Sequence, residues 1–267
     1  MLQGNDRRAR RGRGGRRRSR RARRRQADRR AHAHGGRRCT AAAGRGGARR
    51  GAGVRVAVVG GTGDFGLALA QRLAEAGDHV VIGSRDAERA KAKAAELRDV
   101  AHAIPIVGHT NAEAAALGDV VVVALPWGGP GATLPETRQA CRNKVVVSAV
   151  VPLTFGGPRL FTPPPAGSAA EEVQALLPEA RVVAAFHHIA AHELADAEYP
   201  IECDLLICGQ EAAAKETVTQ LGRSLGLRVI DVGALSNAGP LEGITAVLAT
   251  INRRYKLKNS GIKITGL

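Results

Sequence analysis

The chain has 267 residues, 40 Lys+Arg against 24 Asp+Glu and a formal charge of +16, a balance that taken whole reads as a binder of nucleic acid or another anionic surface. The excess lies entirely in residues 1–53, with 20 Arg, no Lys and two acids (Asp6, Asp28), whereas residues 54–267 hold 20 basic and 22 acidic side chains. No apolar run reaches the roughly 18 residues of a membrane helix, and no apolar h-region follows the Arg-rich start, which argues against a span or a secretory signal and for the cytoplasm.

Residues 1–53 are low-complexity Arg/Gly/Ala with almost nothing apolar to bury, and disorder is expected there. Three readings stay open. The segment is an RGG-like arm for phosphate backbones, although no Phe or Tyr interleaves with its arginines; or a passive solvated tail; or a non-native extension, the translation of GC-rich DNA ahead of a start at Val54.

Beyond the tail, Val54–Val59 reads as a buried parallel strand ending in Gly60. Asp64–Ala76 places Phe65, Leu69 and Leu73 on one helix face, and Gly77 closes it. His79–Ile82 is a second strand and Asp86–Leu97 a polar helix that Asp86 can cap. Asp119–Leu125 and Lys144–Val150 are two more buried strands, separated by a Pro/Gly-rich loop and a helical stretch. This alternation predicts an α/β fold, a Rossmann-type doubly wound parallel sheet. After Val151-Pro152 the texture changes. A Pro/Gly-rich stretch (Phe155–Gly167) leads to a short helix and to strands near Arg181–Ala185 and Cys203–Cys208; helix Ala212–Leu225, strand Arg228–Val232 and helix Leu241–Tyr255 follow. The expected organisation is a tail (1–53), a dinucleotide-binding domain (54–150) and a smaller α/β lobe (151–267). Cys39, Cys141, Cys203 and Cys208 form no CxxC and fit reduced, mostly buried thiols.

The strongest local signal is VRVAVVGGTGDFG, in which Gly61, Thr62, Gly63, Asp64, Phe65 and Gly66 carry a G-x-G-x-x-G directly between a strand and a helix. Gly61 permits the tight turn, Gly63 lets backbone approach a pyrophosphate, Gly66 allows close helix–strand packing, and the helix start offers N–H groups to the anion. The second strand runs into Gly83-Ser84-Arg85, where an NAD site would place a carboxylate for the ribose 2′-hydroxyl. Ser84, Arg85 and, one turn on, Arg89 instead suit a 2′-phosphate, which predicts NADP; the alternative is a solvated helix start.

No acid/base pair is assigned. Neither Tyr199 nor Tyr255 has a Lys four residues on, and no Ser-His-Asp or metal cluster stands out. His187, His188 and His192 follow a predicted strand; His188 and His192 could share a helix face, yet HxxxH without a third ligand is weak for metal. They line a pocket or are structural. Pro126-Trp127 and Val151-Pro152 follow strands, where ligands of such sheets bind; Trp127, the sole tryptophan, is pocket wall or core.

The runs GGTGDFG, GSRDAERAKAKAAEL, VVVALPW, KVVVSAVVPL, AAFHHIAA and DVGALSNAGPLE together resemble the NADPH-dependent F420 reductase family, from Val54 to about Gly261–Lys263. The resemblance implies an enzyme moving hydride between NADP(H) and coenzyme F420, an 8-hydroxy-5-deazaflavin. It implies that Thr62, Ser84, Arg85 and Arg89 hold the 2′-phosphate end. It also implies a deazaflavin bounded by Pro126, Trp127, Val151, Pro152, His187, Ile189, Leu235, Ser236, Asn237 and Leu241, and a homodimer paired through the second lobes. Asp64 departs from the Asn or Gln often found there. Hydride transfer between two ring carbons removes no hydroxyl proton, which accounts for the missing acid/base pair. Two alternatives stay in view: an NADPH reductase of flavin, ferric chelate or imine on the same fold, and a non-catalytic NADPH sensor with a nucleic-acid-binding arm.

Overall fold

Val56 to Val59 form an uninterrupted run of small and β-branched side chains with no solvent exposure, the pattern of a strand covered on both faces. They make up most of β1 (Arg55–Val59). The computed structural model describes residues 53–100, 106–196 and 200–267. The expected disorder of the Arg-rich tail, and Cys39 within it, lie outside these residues.

In chain order β1 is followed by α1 (Asp64–Glu75), β2 (His79–Ser84), α2 (Ala87–Val100), β3 (Ile106–Thr110), α3 (Asn111–Leu117), β4 (Val120–Val123) and α4 (Gly129–Thr137). Then come β5 (Val145–Ser148), α5 (Ala169–Leu176), β6 (Arg181–Ala184), α6 (Ala191–Ala195), β7 (Asp204–Gly209), α7 (Ala212–Ser224) and β8 (Arg228–Asp231). A 3₁₀ turn (Leu235–Asn237) leads into α8 (Ala238–Tyr255).

Among the described residues the strands form one sheet in the order β3-β2-β1-β4-β5-β6-β7-β8. Pairing is parallel from β3 through to β6, antiparallel between β6 and β7, and parallel again between β7 and β8. Residue 150, where the sequence suggests a boundary, lies two residues past the end of β5, and the sheet continues from β5 into β6. Strand residues alternate between two cores. Val56 and Val58 join the core shared with α1, α2 and α7, and Ala57 and Val59 the core shared with α3, α4, α5 and α8.

Side chains close several ends. Asp86 Oδ1 accepts the N–H groups of Glu88 and Arg89 at 3.0 and 3.2 Å, the expected cap of α2. The β3–α3 pair has no counterpart in the sequence reading. Gly108 interrupts the β pattern of this strand because a Cβ there would strike the backbone of Ala90 in α2. Thr110 and Glu113 then form a reciprocal capping box that starts α3. Lys144 Nζ donates to the carbonyls of Ala115, Ala116 and Gly118 at 2.7–2.9 Å, satisfying the C-terminus of α3. At the other edge Asp204, 2% exposed, is gripped by Arg228 Nε and Nη2 at 2.7 and 2.6 Å and by the Ile264 N–H at 2.6 Å. The Arg228 guanidinium holds this carboxyl below the usual range. Together with the Asp204 N–H to Ile262 oxygen bond, the clamp lays the C-terminal segment beside β7.

Candidate functional site

The order 3-2-1-4 reverses direction between β1 and β4, and the crevice outside the carboxyl ends of such strands is where this architecture receives ligands. A cavity of about 410 Å³ lies there. Its walls come from the segment after β1 (Gly63, Asp64, Phe65, Gly66), after β4 (Ala124, Leu125, Pro126, Trp127), after β5 (Ala149, Val151) and after β6 (Phe186, His187).

The glycines divide their work as their positions imply. A Cβ on Gly61 would stand 2.7 Å from the Val58 carbonyl oxygen, and one on Gly66 2.7 Å from the Gly61 Cα, so packing within the chain excludes side chains at both. Gly63 differs. Its backbone (φ −82, ψ 164) suits any residue, and the nearest atom to an added Cβ is Gly60 O at 3.8 Å. Nothing inside the chain demands glycine there. Space left at the start of α1, whose N-cap has no side-chain hydrogen bond, fits a phosphate group seated against backbone. The loop is held from below: Gly61 N–H reaches the Gly83 oxygen at 2.9 Å, and Gly60 N–H the buried Asn111 Oδ1 at 3.1 Å. Asn111 was not singled out from sequence, although the T-x-x-E box beginning at Thr110 marks the helix it opens.

Ser84, at the end of β2, is buried, and its hydroxyl accepts the Asp86 N–H at 3.2 Å. Arg85 and Arg89 are exposed and, among the described residues, paired with no carboxylate; Arg89 Nη2 donates to the Thr62 oxygen at 3.5 Å, which brings β2's cationic end to the glycine loop. Two cations with no carboxylate partner among the described residues, on one side of a glycine loop, suit an additional phosphate.

At the other wall Phe186 is fully buried with φ +68, a left-handed conformation that is costly for a bulky residue. Strain of this kind gathers at ligand sites. The turn it makes sends His187 to the cavity. His187 is 5% exposed, and among the described residues neither of its ring nitrogens is paired with another side chain; the Ser148 backbone on β5 is the polar group beside it, and the buried Ser148 hydroxyl is likewise unpaired among them. Burial, with His188 beside it, pushes the His187 pKa down to about 3 against a small opposing pull from the Ser148 backbone. The ring is therefore neutral across the physiological range, with one N–H to donate and one lone pair to accept. Trp127, Phe65, Pro126 and Phe186 add apolar surface, so the donor set is planar-faced with few polar groups, which fits stacked heterocycles.

Of the sequence-predicted residues, Gly63 to Gly66, Pro126, Trp127, Val151 and His187 meet in this cavity. Ala124, Leu125, Ala149 and Phe186 were not anticipated. Pro152, Ile189, Leu235 and Leu241 are buried, the last three in the two cores behind the crevice, and Ser236 and Asn237 are exposed on the 3₁₀ turn. His188 and His192 do not share a helix. The chain is extended at Ala190 (φ −73, ψ 135), so α6 begins only at Ala191, and His188 Nε2 lies 2.8 Å from the Asp204 carbonyl instead. Among the described residues no group of three or more His, Cys, Asp or Glu is placed to hold a metal ion, and no helix is long and apolar enough to cross a membrane. Cys141, Cys203 and Cys208 are free and buried.

The chain is 38% identical to the F420-dependent NADP reductase of Methanocaldococcus jannaschii over 222 residues, covering 80% of this chain and 99% of that one. It belongs to the F420-dependent NADP reductase family. The corresponding protein of Methanothermobacter thermautotrophicus is 40% identical over 80% of this chain and 96% of its own. The model of a family described as "NADP oxidoreductase coenzyme F420-dependent" matches residues 55–152, which end one residue past Val151 of the crevice. Among solved structures, a protein of Arthrobacter sp. FB24 assigned as an F420-dependent NADP-reductase superposes with a TM-score of 0.70 at 28% identity, covering 80% of this chain and all of that one.

Proposed function

We propose that this protein is an F420-dependent NADP reductase, transferring hydride between NADP(H) and the deazaflavin ring of coenzyme F420. The observation that carries the reading is the crevice at the strand-order reversal, where an unfilled glycine cradle faces a flat apolar wall and a neutral, unpartnered histidine. Its relatives supply the identity of the second ring. Bound together, the two cofactors supply the hydride-donating and hydride-accepting carbons.

The chain's part is to hold and to exclude. Gly61, Thr62 and Gly63, with the start of α1, take the pyrophosphate of NADP; Asp64 stays at the rim. Ser84, Arg85 and Arg89 take its 2′-phosphate. Phe65, Pro126, Trp127 and Val151 form the walls that press two rings to reacting distance and keep water out. Pro152, Ile189, Leu235 and Leu241 back that wall, with Ser236 and Asn237 at its margin. His187 would offer a ring N–H as a hydrogen-bond donor to the polar part of the deazaflavin. No residue is assigned as acid or base: no hydroxyl proton leaves, and the one proton that would neutralise the reduced deazaflavin would be taken up from solvent. Residues 54–150 serve the nucleotide and residues 151–267 the deazaflavin and a homodimer contact. Val247, Tyr255 and Leu257 on α8 and just beyond it leave apolar surface for that contact. A cytoplasmic setting suits free, buried thiols.

The experiment is anaerobic NADPH oxidation by the full-length protein with F420 and, separately, with FMN or a ferric chelate. Bleaching of F420 absorbance at a rate well above the other acceptors is expected; turnover of FMN or iron in its place overturns the assignment.

A further inference from the structure

Glu242, five residues into α8, has no exposure to solvent. Its two carboxylate oxygens accept the N–H groups of Ala169 and Ala170 at 2.9 and 3.0 Å. These are the first two residues of α5, whose N–H groups have no partner within the helix. Ser168, the N-cap, is occupied with Glu171, accepting its N–H and donating to its carboxylate. A carboxylate spanning two N–H groups at a helix start is a charge-assisted contact with the positive end of the helix dipole. Burial nonetheless pushes this carboxyl up to about 7, opposed by the two N–H groups and reinforced by Glu171. The chain keeps a buried carboxyl that hydride transfer does not require.

Three residues along the same helix, Thr245 Oγ1 donates to the His187 carbonyl oxygen at 2.9 Å. Less than one turn of α8 thus joins the start of α5 to the backbone of the cavity histidine. A hydrogen-bonded helical turn is stiff, so a displacement at Glu242 is passed on to Thr245. The packing leaves little slack: a Cβ on Gly239, in the first turn of α8, would stand 3.0 Å from the Gly167 oxygen, just ahead of α5.

We propose that Glu242 is a positioning residue for the deazaflavin side of the site: by pinning α8 to the start of α5 it sets, through Thr245, where the His187 ring stands in the cavity. The proposal rests on the reading of His187 as a deazaflavin contact. A purely structural Glu242 would move stability and the folded fraction, and leave the folded enzyme's response to F420 unchanged.

The test compares KM and kcat for F420, Kd for NADPH and Tm in the full-length protein. Glu242→Gln keeps the shape and one acceptor but cannot accept both N–H groups. It is expected to raise the F420 KM roughly tenfold, the equivalent of about one lost hydrogen bond, with NADPH Kd unchanged and kcat per folded molecule little affected. Ser168→Ala weakens the same helix start without touching α8, and is expected to lower Tm and leave KM alone. Ala169→Pro reaches the contact from the other side if Glu242→Gln does not fold. Proline is tolerated at the first helical residue, Ser168 before it is already extended (φ −151, ψ 160), and one of the two donors is removed. An active wild type whose folded variants keep the F420 KM within about twofold overturns the proposal alone, being far short of one lost hydrogen bond. A wild type that does not reduce F420 overturns the functional reading, and the proposal with it.

Discussion

Gly63→Ala separates folding from nucleotide binding. Conformation does not require glycine at φ −82, ψ 164, and the added Cβ meets only Gly60 O, at an ordinary 3.8 Å. Replacing Gly where Ala fits stabilises by about 0.4–1 kcal/mol through the unfolded chain, and Ala at an N-cap costs a similar amount. The two offset, so Tm should move by only a few degrees. On the proposed reading, however, the methyl group would occupy the space through which the pyrophosphate reaches the start of α1. Displacing that anion forfeits one or two charge-assisted hydrogen bonds at roughly 1.5–3 kcal/mol each, or about 3 kcal/mol in all. That is about a hundredfold in Kd. NADPH titration followed by Trp127 fluorescence, beside a thermal melt, reads both quantities, because the sole tryptophan lines the cavity. A variant that melts normally and binds NADPH within about threefold of wild type would show that no anion approaches Gly63, and the reasoning fails. By contrast Gly66→Ala, whose Cβ would strike the Gly61 Cα at 2.7 Å, should lose stability and binding together.

Arg85→Asp would place a like charge where the 2′-phosphate is proposed to sit and should weaken NADPH by about ten- to a hundredfold while NADH holds or gains; an unchanged preference in steady-state assays with both cofactors contradicts the assignment. Arg228→Met leaves Asp204 with only the Ile264 N–H among the described partners and should lower stability at neutral pH, by less than a fully buried pair would because Arg228 is half-exposed. Urea unfolding should report a lower midpoint, and a thermal melt a lower Tm. Because Asp204 is held below its ordinary pKa of 3.8, the clamp acts above that pH and fades as pH falls through the lowered value, so wild type and variant should converge in acid. Glu242 has the opposite sign. Its folded pKa near 7 lies above 4.5, so its contribution is greatest below pH 4.5 and is lost as pH rises through 7. The stability difference between wild type and Glu242→Gln should therefore fall by on the order of 3 kcal/mol between pH 4.5 and 8, and a flat difference would mean that the carboxyl is not buried.

The strands nearest the crevice were legible because each is buried on both faces and reads as an unbroken apolar run: VAVV in β1, VVVV in β4, VVVS in β5. The glycine loop was legible because strand, loop and helix follow one another within a few residues. β3 was not, since IVGHT carries a glycine that α2 requires and polar residues that α3 uses, and tertiary demands erased its β pattern. Nor could pattern place His188 and His192. Their spacing is helical, but the left-handed Phe186 and extended Ala190 turn the chain first, and neither is encoded in periodicity. Glu242 is the clearest case of what lies beyond pattern: within an apolar helix a lone Glu reads as a solvent-facing position, and only the distant start of α5 explains its burial.

The left-handed Phe186 also has a bearing on how this enzyme can change. A residue with that φ and a fully buried ring is held by its surroundings at a cost that a glycine or asparagine would not incur. Selection for heat resistance alone would favour relaxing the turn and refilling the core from elsewhere, and each such step would let the following histidine drift. If His187 serves the site as proposed, position 186 is a point where durability and turnover would be traded against each other, and lineages of this enzyme adapted to hot surroundings are expected to find their extra stability at other positions.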